Sequence, residues 1–156
     1  MRAPEVEERA GGDPGQLVEH NALLKARAVP GPLVLGSDTA VAVDADVLGK
    51  PRDAAQARAF VERLAGREHQ VWSGVALVSP DGERSAVDCA LVTFRTLTPD
   101  QIDWYVATGE WEGRAGGYAI QGRGAALVER IEGDYNCVMG LPVAALVRLA
   151  PDLIAA

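Results

Sequence analysis

Apolar residues along this chain fall into two rhythms, and the boundaries between them outline its elements. The first β-prone stretch runs from Leu33 to Pro51: an apolar run, a small-polar break at Gly36, Ser37, Asp38 and Thr39, then a second apolar run from Ala40 to Val43. This pattern predicts a buried strand whose end carries one carboxylate, Asp38, into a cleft. The turn at Asp44 to Asp46 sends the chain back, so that Gly49 and Lys50 return to the same cleft before Pro51 ends the strand. The plainer alternative for this stretch alone is that Asp38 caps a turn and Lys50 is solvated.

Met1 to Arg9 reads as the end of an extended segment carrying Glu5, Glu7 and Glu8. Asp13 and Pro14 then open a helix, with Leu17, Asn21, Leu24 and Ala28 on one face and Lys25 near its end. Pro30 to Pro32 stop it. Asp53 caps a second helix with the apolar stripe Ala57, Phe60, Val61 and Leu64, closed by Gly66. Two long β-rich runs, Gln70 to Ser79 and Ala86 to Phe94, flank the hairpin signal Pro80, Asp81, Gly82. Thr98, Pro99, Asp100 and Gln101 form a capping box ahead of a helix that turns Ile102, Tyr105 and Val106 to the core and ends at Gly109.

A glycine-rich loop follows, from Glu110 through Gly113, Gly116 and Gly117 to Gly122 and Gly124, with Tyr118, Ile120 and Gln121 inside it. Beyond it the pattern predicts a strand over Ala125 to Ile131, a turn at Gly133 to Tyr135, a short strand over Asn136 to Met139, and a last helix from Pro142 to about Ala150. Strands and helices in this order make an α/β protein with an antiparallel component, one domain over residues 1–156.

Composition narrows the function classes. No apolar run approaches membrane-spanning length, and the opening is not a signal peptide, so a cytoplasmic protein is expected. A net charge of −7 argues against a general binder of nucleic-acid backbones, so any phosphate ligand has to be met by a few placed cations or a metal. Of 15 basic residues only Lys25 and Lys50 are lysines, which suggests a need for a compact ammonium at those places or chance alone. Cys89 and Cys137 form no metal or redox motif and read as buried free thiols; His20 and His69 have no metal-ligand spacing. Trp104 and Trp111 lie near the glycine loop, where Trp104 reads as core or lid packing and Trp111 is open.

The glycine loop admits two readings: anion binding by exposed backbone N–H groups, or a set of tight turns. Neither GxGxxG in its strand–helix setting nor GxxxxGK[ST] is present. No Ser/His/Asp, Cys/His or HExxH arrangement is available either. What remains is an acid set (Glu8, Asp38), a cation set (Lys25, Lys50, Arg95, Arg114) and an amide, Gln121. Acid oxygens hold hard divalent ions between carboxylates and substrate phosphates, so this combination suits phosphoryl or nucleotidyl chemistry.

At these residues a resemblance enters. Gly36 to Thr39, Leu48 to Pro51, Leu64 to Val71, Val92 to Arg95, and above all Ala115 to Gly122 with Glu132 to Pro142 resemble the Maf family of nucleoside triphosphate pyrophosphatases, in order and over nearly the whole chain. Gly-Tyr-Ala-Ile-Gln-Gly at 117–122 is similar to the branch acting on dTTP and UTP rather than that acting on 7-methyl-GTP. The resemblance implies a mixed sheet in two lobes around a cleft, related to the inosine-triphosphate pyrophosphatases. It also implies hydrolysis of a nucleoside triphosphate to the monophosphate and pyrophosphate with a divalent cation, magnesium or manganese. By position, Asp38 matches the family's general base or metal ligand, Glu8 its opening acid and second metal ligand, Lys25 and Lys50 its phosphate-facing lysines, and Gln121 the loop glutamine. Arg95 and Arg114 join the substrate-binding set, and a homodimer is left open.

Family members begin with a strand, a Ser-x-Ser-Pro-Arg-Arg loop and a helix, whereas here Met1 falls just before the acidic motif. Two accounts follow: a start placed too far downstream of a complete protein, or a true truncation with crippled catalysis. The local consistency of the remaining elements favours the first. The rival function is a non-enzymatic one, a catalytically impaired nucleotide-binding or division-related regulatory protein.

Overall fold

The computed structural model describes residues 5–154. Five strands form one sheet in the order β2-β1-β3-β4-β5, with β1 Val34–Val43, β2 Asp46–Leu48, β3 Glu68–Ser79, β4 Gly82–Phe94 and β5 Val128–Glu132. Among the described residues every pairing is antiparallel, in keeping with the α/β class and its antiparallel component. The cause is the connections: two of the pairings, β1 to β2 and β3 to β4, close through tight turns, which only antiparallel neighbours permit. The β3–β4 turn lies where Pro80 and Asp81 place it, with Ser79 facing Gly82.

The first strand differs from expectation in one respect that matters. It does not break at Asp38 but continues through it, Asp38 pairing with Gly74 of β3. On its other side, among the described residues, β1 pairs with β2 only from Val41 to Val43. Among the described residues the edge of β1 beside Asp38 has no strand partner, and the carboxylate sits in mid-strand rather than at a strand end.

Helix α1, Pro14–Arg27, is capped by the Asp13 carboxylate, which accepts from the Gln16 backbone at 2.8 Å, and carries proline at its start. Its buried face is Leu17, Val18, Asn21, Ala22 and Ala26, whereas Ala28 is exposed and Leu24 half-buried. The reason for this rotation lies in the sheet. A Cβ on Gly36 would stand 2.2 Å from the Ala22 carbonyl, and one on Gly74 2.5 Å from the Val18 carbonyl. The helix backbone rests directly on these two bare positions, and small residues (Ala22, Ala26, Ala40, Ala76) fill the seam.

The opposite face carries the main core, built from Val41, Val71, Val92 and Phe94 of the sheet, Val61 and Leu64 of α2 (Ala54–Leu64) and Tyr105 of α3 (Pro99–Ala107). The predicted stripe of α2 and the capping box of α3 are both present. Trp104 is 51% exposed, so its expected packing role is corrected: Ile102 and Tyr105 take the buried side of α3. Two further expectations change after the glycine loop. Residues Arg123–Leu127 form a 3₁₀ turn, and β5 begins only at Val128. The expected strand over Asn136 to Met139 is a short helix, α4 (Tyr135–Met139), because Asp134 caps it through the Asn136 N–H and Gly140, at φ 111°, ends it in the left-handed region. Helix α5 spans Val143–Leu149, as the pattern from Pro142 predicts. Cys137 is buried and Cys89 half-buried, both free. Of the expected opening segment, Met1 to Pro4 lie outside the described residues, and Glu5 to Gly12 form no regular element.

Candidate active site

The seam between α1 and β1 creates the centre of the site. Because Gly36 lets α1 lie against the strand, Lys25 reaches Asp38 two residues further along the same face, and its ammonium stands 2.5 Å from Asp38 Oδ1. The other carboxylate oxygen accepts from Asn21 Nδ2 at 3.0 Å. Asn21, 2% exposed, also clasps the incoming chain: its Oδ1 accepts the Arg9 N–H at 2.9 Å and its Nδ2 donates to the Arg9 carbonyl at 3.1 Å. That pair of hydrogen bonds to the Arg9 backbone holds the chain beside Glu8, whose Oε1 lies 3.0 Å from Lys25 Nζ and 3.8 Å from Lys50 Nζ. Two acids thus converge on one ammonium, with a second ammonium beside them.

Burial works against the charge on Lys25, but the hydrogen bonds and charges of Asp38 and Glu8 prevail and raise its pKa. Lys50 returns to the site as the β1–β2 turn predicts, with Leu48 opposite Val41. The Gly116 N–H donates to the Gly49 carbonyl at 3.1 Å, lapping the glycine loop onto this strand end. Gly116 has φ 67°, and a Cβ there would strike Val41 at 2.8 Å, so this close approach requires glycine. The Gly117 and Gly122 N–H groups likewise donate to Arg114 and Ala119 carbonyls. Of the two readings of the loop, these three glycines follow the tight-turn one, their N–H groups being engaged within the fold.

A cavity of about 220 Å³ lies at β1, lined among others by Lys25, Asp38, Thr39, Lys50, Arg114 and Gln121. A second, of about 240 Å³, adjoins it at Asp38 and Lys50 and includes Glu8. Of the cations and acids singled out from the sequence, Arg95 does not line this cavity. It is exposed just past the end of β4, where its Nη2 donates to the Val128 carbonyl at 3.1 Å. The physical reason is topological: β4 lies two strands from β1, and its last residues run toward β5.

Several residues of the site were not foreseen. Asn21 looks like a helix-face polar residue and acquires its role only through Arg9 and Asp38. Thr39 and Ser73 meet at 2.9 Å on the face opposite α1. Ser73 donates its single hydroxyl hydrogen to the Cys137 carbonyl at 2.7 Å, so it accepts from Thr39, whose oxygen is left with lone pairs. Below the loop, Tyr118 lines the cavity and its hydroxyl lies 2.8 Å from His69 Nε2 in a buried cluster with Phe94. Burial drives the His69 pKa down to about 4 and raises that of Tyr118, so this pair is neutral.

Chemically the site offers hard oxygen donors and ammonium groups in one cleft. Among the described residues no three acid, histidine or cysteine side chains come together. The carboxylates of Glu8 and Asp38, which converge on one ammonium, are the hard oxygen donors that could hold a divalent ion in this cleft. No helix among the described residues is long and apolar enough to cross a membrane.

A protein of Symbiobacterium thermophilum named dTTP/UTP pyrophosphatase is 52% identical over 149 residues, covering 92% of this chain and 77% of its own length. Proteins of the same name from Deinococcus radiodurans and Bacillus cytotoxicus are 44% and 46% identical, over 93% and 92% of this chain and 76% and 78% of theirs. The Maf-like protein family matches residues 1–153, and it is to this family that the chain belongs.

Proposed function

We propose that this protein is a nucleoside triphosphate pyrophosphatase that takes dTTP and UTP, or related non-standard nucleotides, to the monophosphate and pyrophosphate. The single observation that carries the reading is the convergence of Asp38, Lys25, Glu8 and Lys50, with Arg114 and Gln121 lining the same cavity as Lys25, Asp38 and Lys50. The names of the relatives supply the substrate pair. The net charge of −7 suits a free nucleotide met by placed cations better than a nucleic acid, and the cytoplasm is where such a substrate is met.

The chain's own residues divide the work. Lys50 and Arg114 meet the phosphates, and an entering triphosphate competes for Lys25, loosening its hold on Asp38. Asp38 then accepts the proton of a water that attacks the α-phosphorus, while the α–β anhydride bond breaks and pyrophosphate leaves. Lys25 and Lys50 neutralise charge gathering on the departing oxygens. Asn21 keeps Asp38 oriented throughout. Magnesium or manganese on Glu8 and Asp38 would supply further charge neutralisation and hold the substrate oxygens.

The experiment is pyrophosphate release from dTTP and UTP with magnesium or manganese. Asp38→Asn is expected to lower turnover by about 10²–10⁴-fold, the usual range for a lost general base, with an unchanged circular dichroism spectrum. Full activity in that variant removes Asp38 from the mechanism, and nucleotide binding without turnover in the parent protein supports the regulatory reading.

A further inference from the structure

Glu110 is an anion beside a cleft read as binding a triphosphate, where a carboxylate is repelled unless something local engages it. It stands just past α3 and lines, with Gln121, Gly122 and Arg114, a third cavity that shares Arg114 and Gln121 with the catalytic one. Its Oε2 accepts the backbone N–H of Arg123 at 2.6 Å. Its own N–H donates to the Thr108 hydroxyl at 3.1 Å, which donates in turn to the Tyr105 carbonyl at 2.6 Å. The Glu110 backbone is thus tied through Thr108 to the end of α3, while its carboxylate reaches the turn after Gln121.

The sequence of the turn records the same contact. A Cβ on Gly122 would lie 2.4 Å from Glu110 Oε2 and 3.0 Å from its carboxyl carbon. The φ of Gly122 is −108°, so a side chain there meets no left-handed strain but would push the Glu110 carboxylate out of its present place. We propose that Glu110 is a positioning residue: its carboxylate clamps the Gln121–Arg123 turn and thereby holds the Gln121 amide in the cleft. This rests on the function proposed above, with Gln121 acting on substrate.

The test combines two readouts: kcat and KM for dTTP with manganese, and backbone hydrogen exchange over residues 121–123 in the protein without nucleotide. Glu110→Ala and Gly122→Ala are each expected to speed exchange there and to lower kcat/KM by about tenfold, the scale of a small misplacement of a reacting group. Because both break one contact, the double variant should fall no further than either single one, and Glu110→Ala should change kcat/KM by less than about twofold in a Gln121→Ala background. Glu110→Gln keeps an acceptor oxygen and should recover to within about threefold of the parent. Additive losses, unchanged exchange, or an undiminished Glu110→Ala effect without Gln121 would each overturn the clamp. If the parent protein neither binds nor hydrolyses dTTP, the proposed function falls, and exchange alone decides the clamp: protection at 121–123 that survives Glu110→Ala refutes it.

Discussion

Asn21 shows how a single buried amide can organise a site. Its three polar contacts join the segment carrying Glu8, the helix carrying Lys25 and the strand carrying Asp38. Asn21→Leu keeps the volume and removes all three, stranding the Arg9 backbone groups and one Asp38 oxygen. A loss of about 1–3 kcal/mol in denaturant unfolding is expected, the range for buried polar partners left unmet. The concentration of manganese needed for half-maximal turnover should also rise, because Glu8 is no longer held beside Asp38. An unchanged manganese requirement would detach Glu8 from metal binding. Nothing in the sequence around position 21 separates it from an ordinary helix-face asparagine, since its partners lie 12 and 17 residues away.

At the scale of elements, the contact of α1 with the sheet decides the geometry. Gly36→Ala would drive a methyl group into the Ala22 carbonyl and the Ala26 nitrogen, backbone atoms that yield only if the helix moves. The expected cost is about 1–3 kcal/mol, as for other overpacked interiors, with a drop in turnover as Lys25 withdraws from Asp38. Gly49→Ala, with open space around its Cβ position, serves as the control and should unfold at the parent's midpoint. Elements with strong local signals were legible beforehand: the Asp13 and Asp53 caps, the Thr98–Gln101 box and the turn between β3 and β4 all depend on neighbours in sequence. Of the missed ones, α4 carried local signals too, the Asp134 cap and the left-handed Gly140, whereas the late start of β5 depends on close approach in the fold. Gly124, for instance, sits so close to Ala119 that a Cβ would lie 2.4 Å from its carbonyl, and the chain there turns instead of extending.

For the molecule as a whole, acid should be the limiting condition, and His69 is one identifiable cause. Burial lowers its folded-state pKa to about 4, against 6.5 for the free side chain. The unfolded chain therefore binds the extra proton first: the stability His69 contributes is complete above the unfolded value and is lost as pH falls from about 6.5 toward 4. Between pH 7 and pH 4.5 this is expected to remove about 2 kcal/mol, read as a steeper pH slope of unfolding in the parent than in His69→Phe. Equal slopes would show that His69 is not the titrating group. Paired surface carboxylates such as Asp44 and Glu83, whose pKa values their arginine partners lower, weaken in the same acid direction. What the sequence by itself determined was the inventory: the helices and hairpins, the family, and the short set of acids, lysines and one glutamine capable of phosphate chemistry. Those follow from local periodicity and residue chemistry. Only the tertiary structure decided which of them meet, setting Arg95 apart, drawing Glu8, Lys25 and Asp38 onto one point, and recruiting Asn21 and Glu110, because each of those contacts is made across the chain by backbones that approach closely only where glycine and alanine leave room.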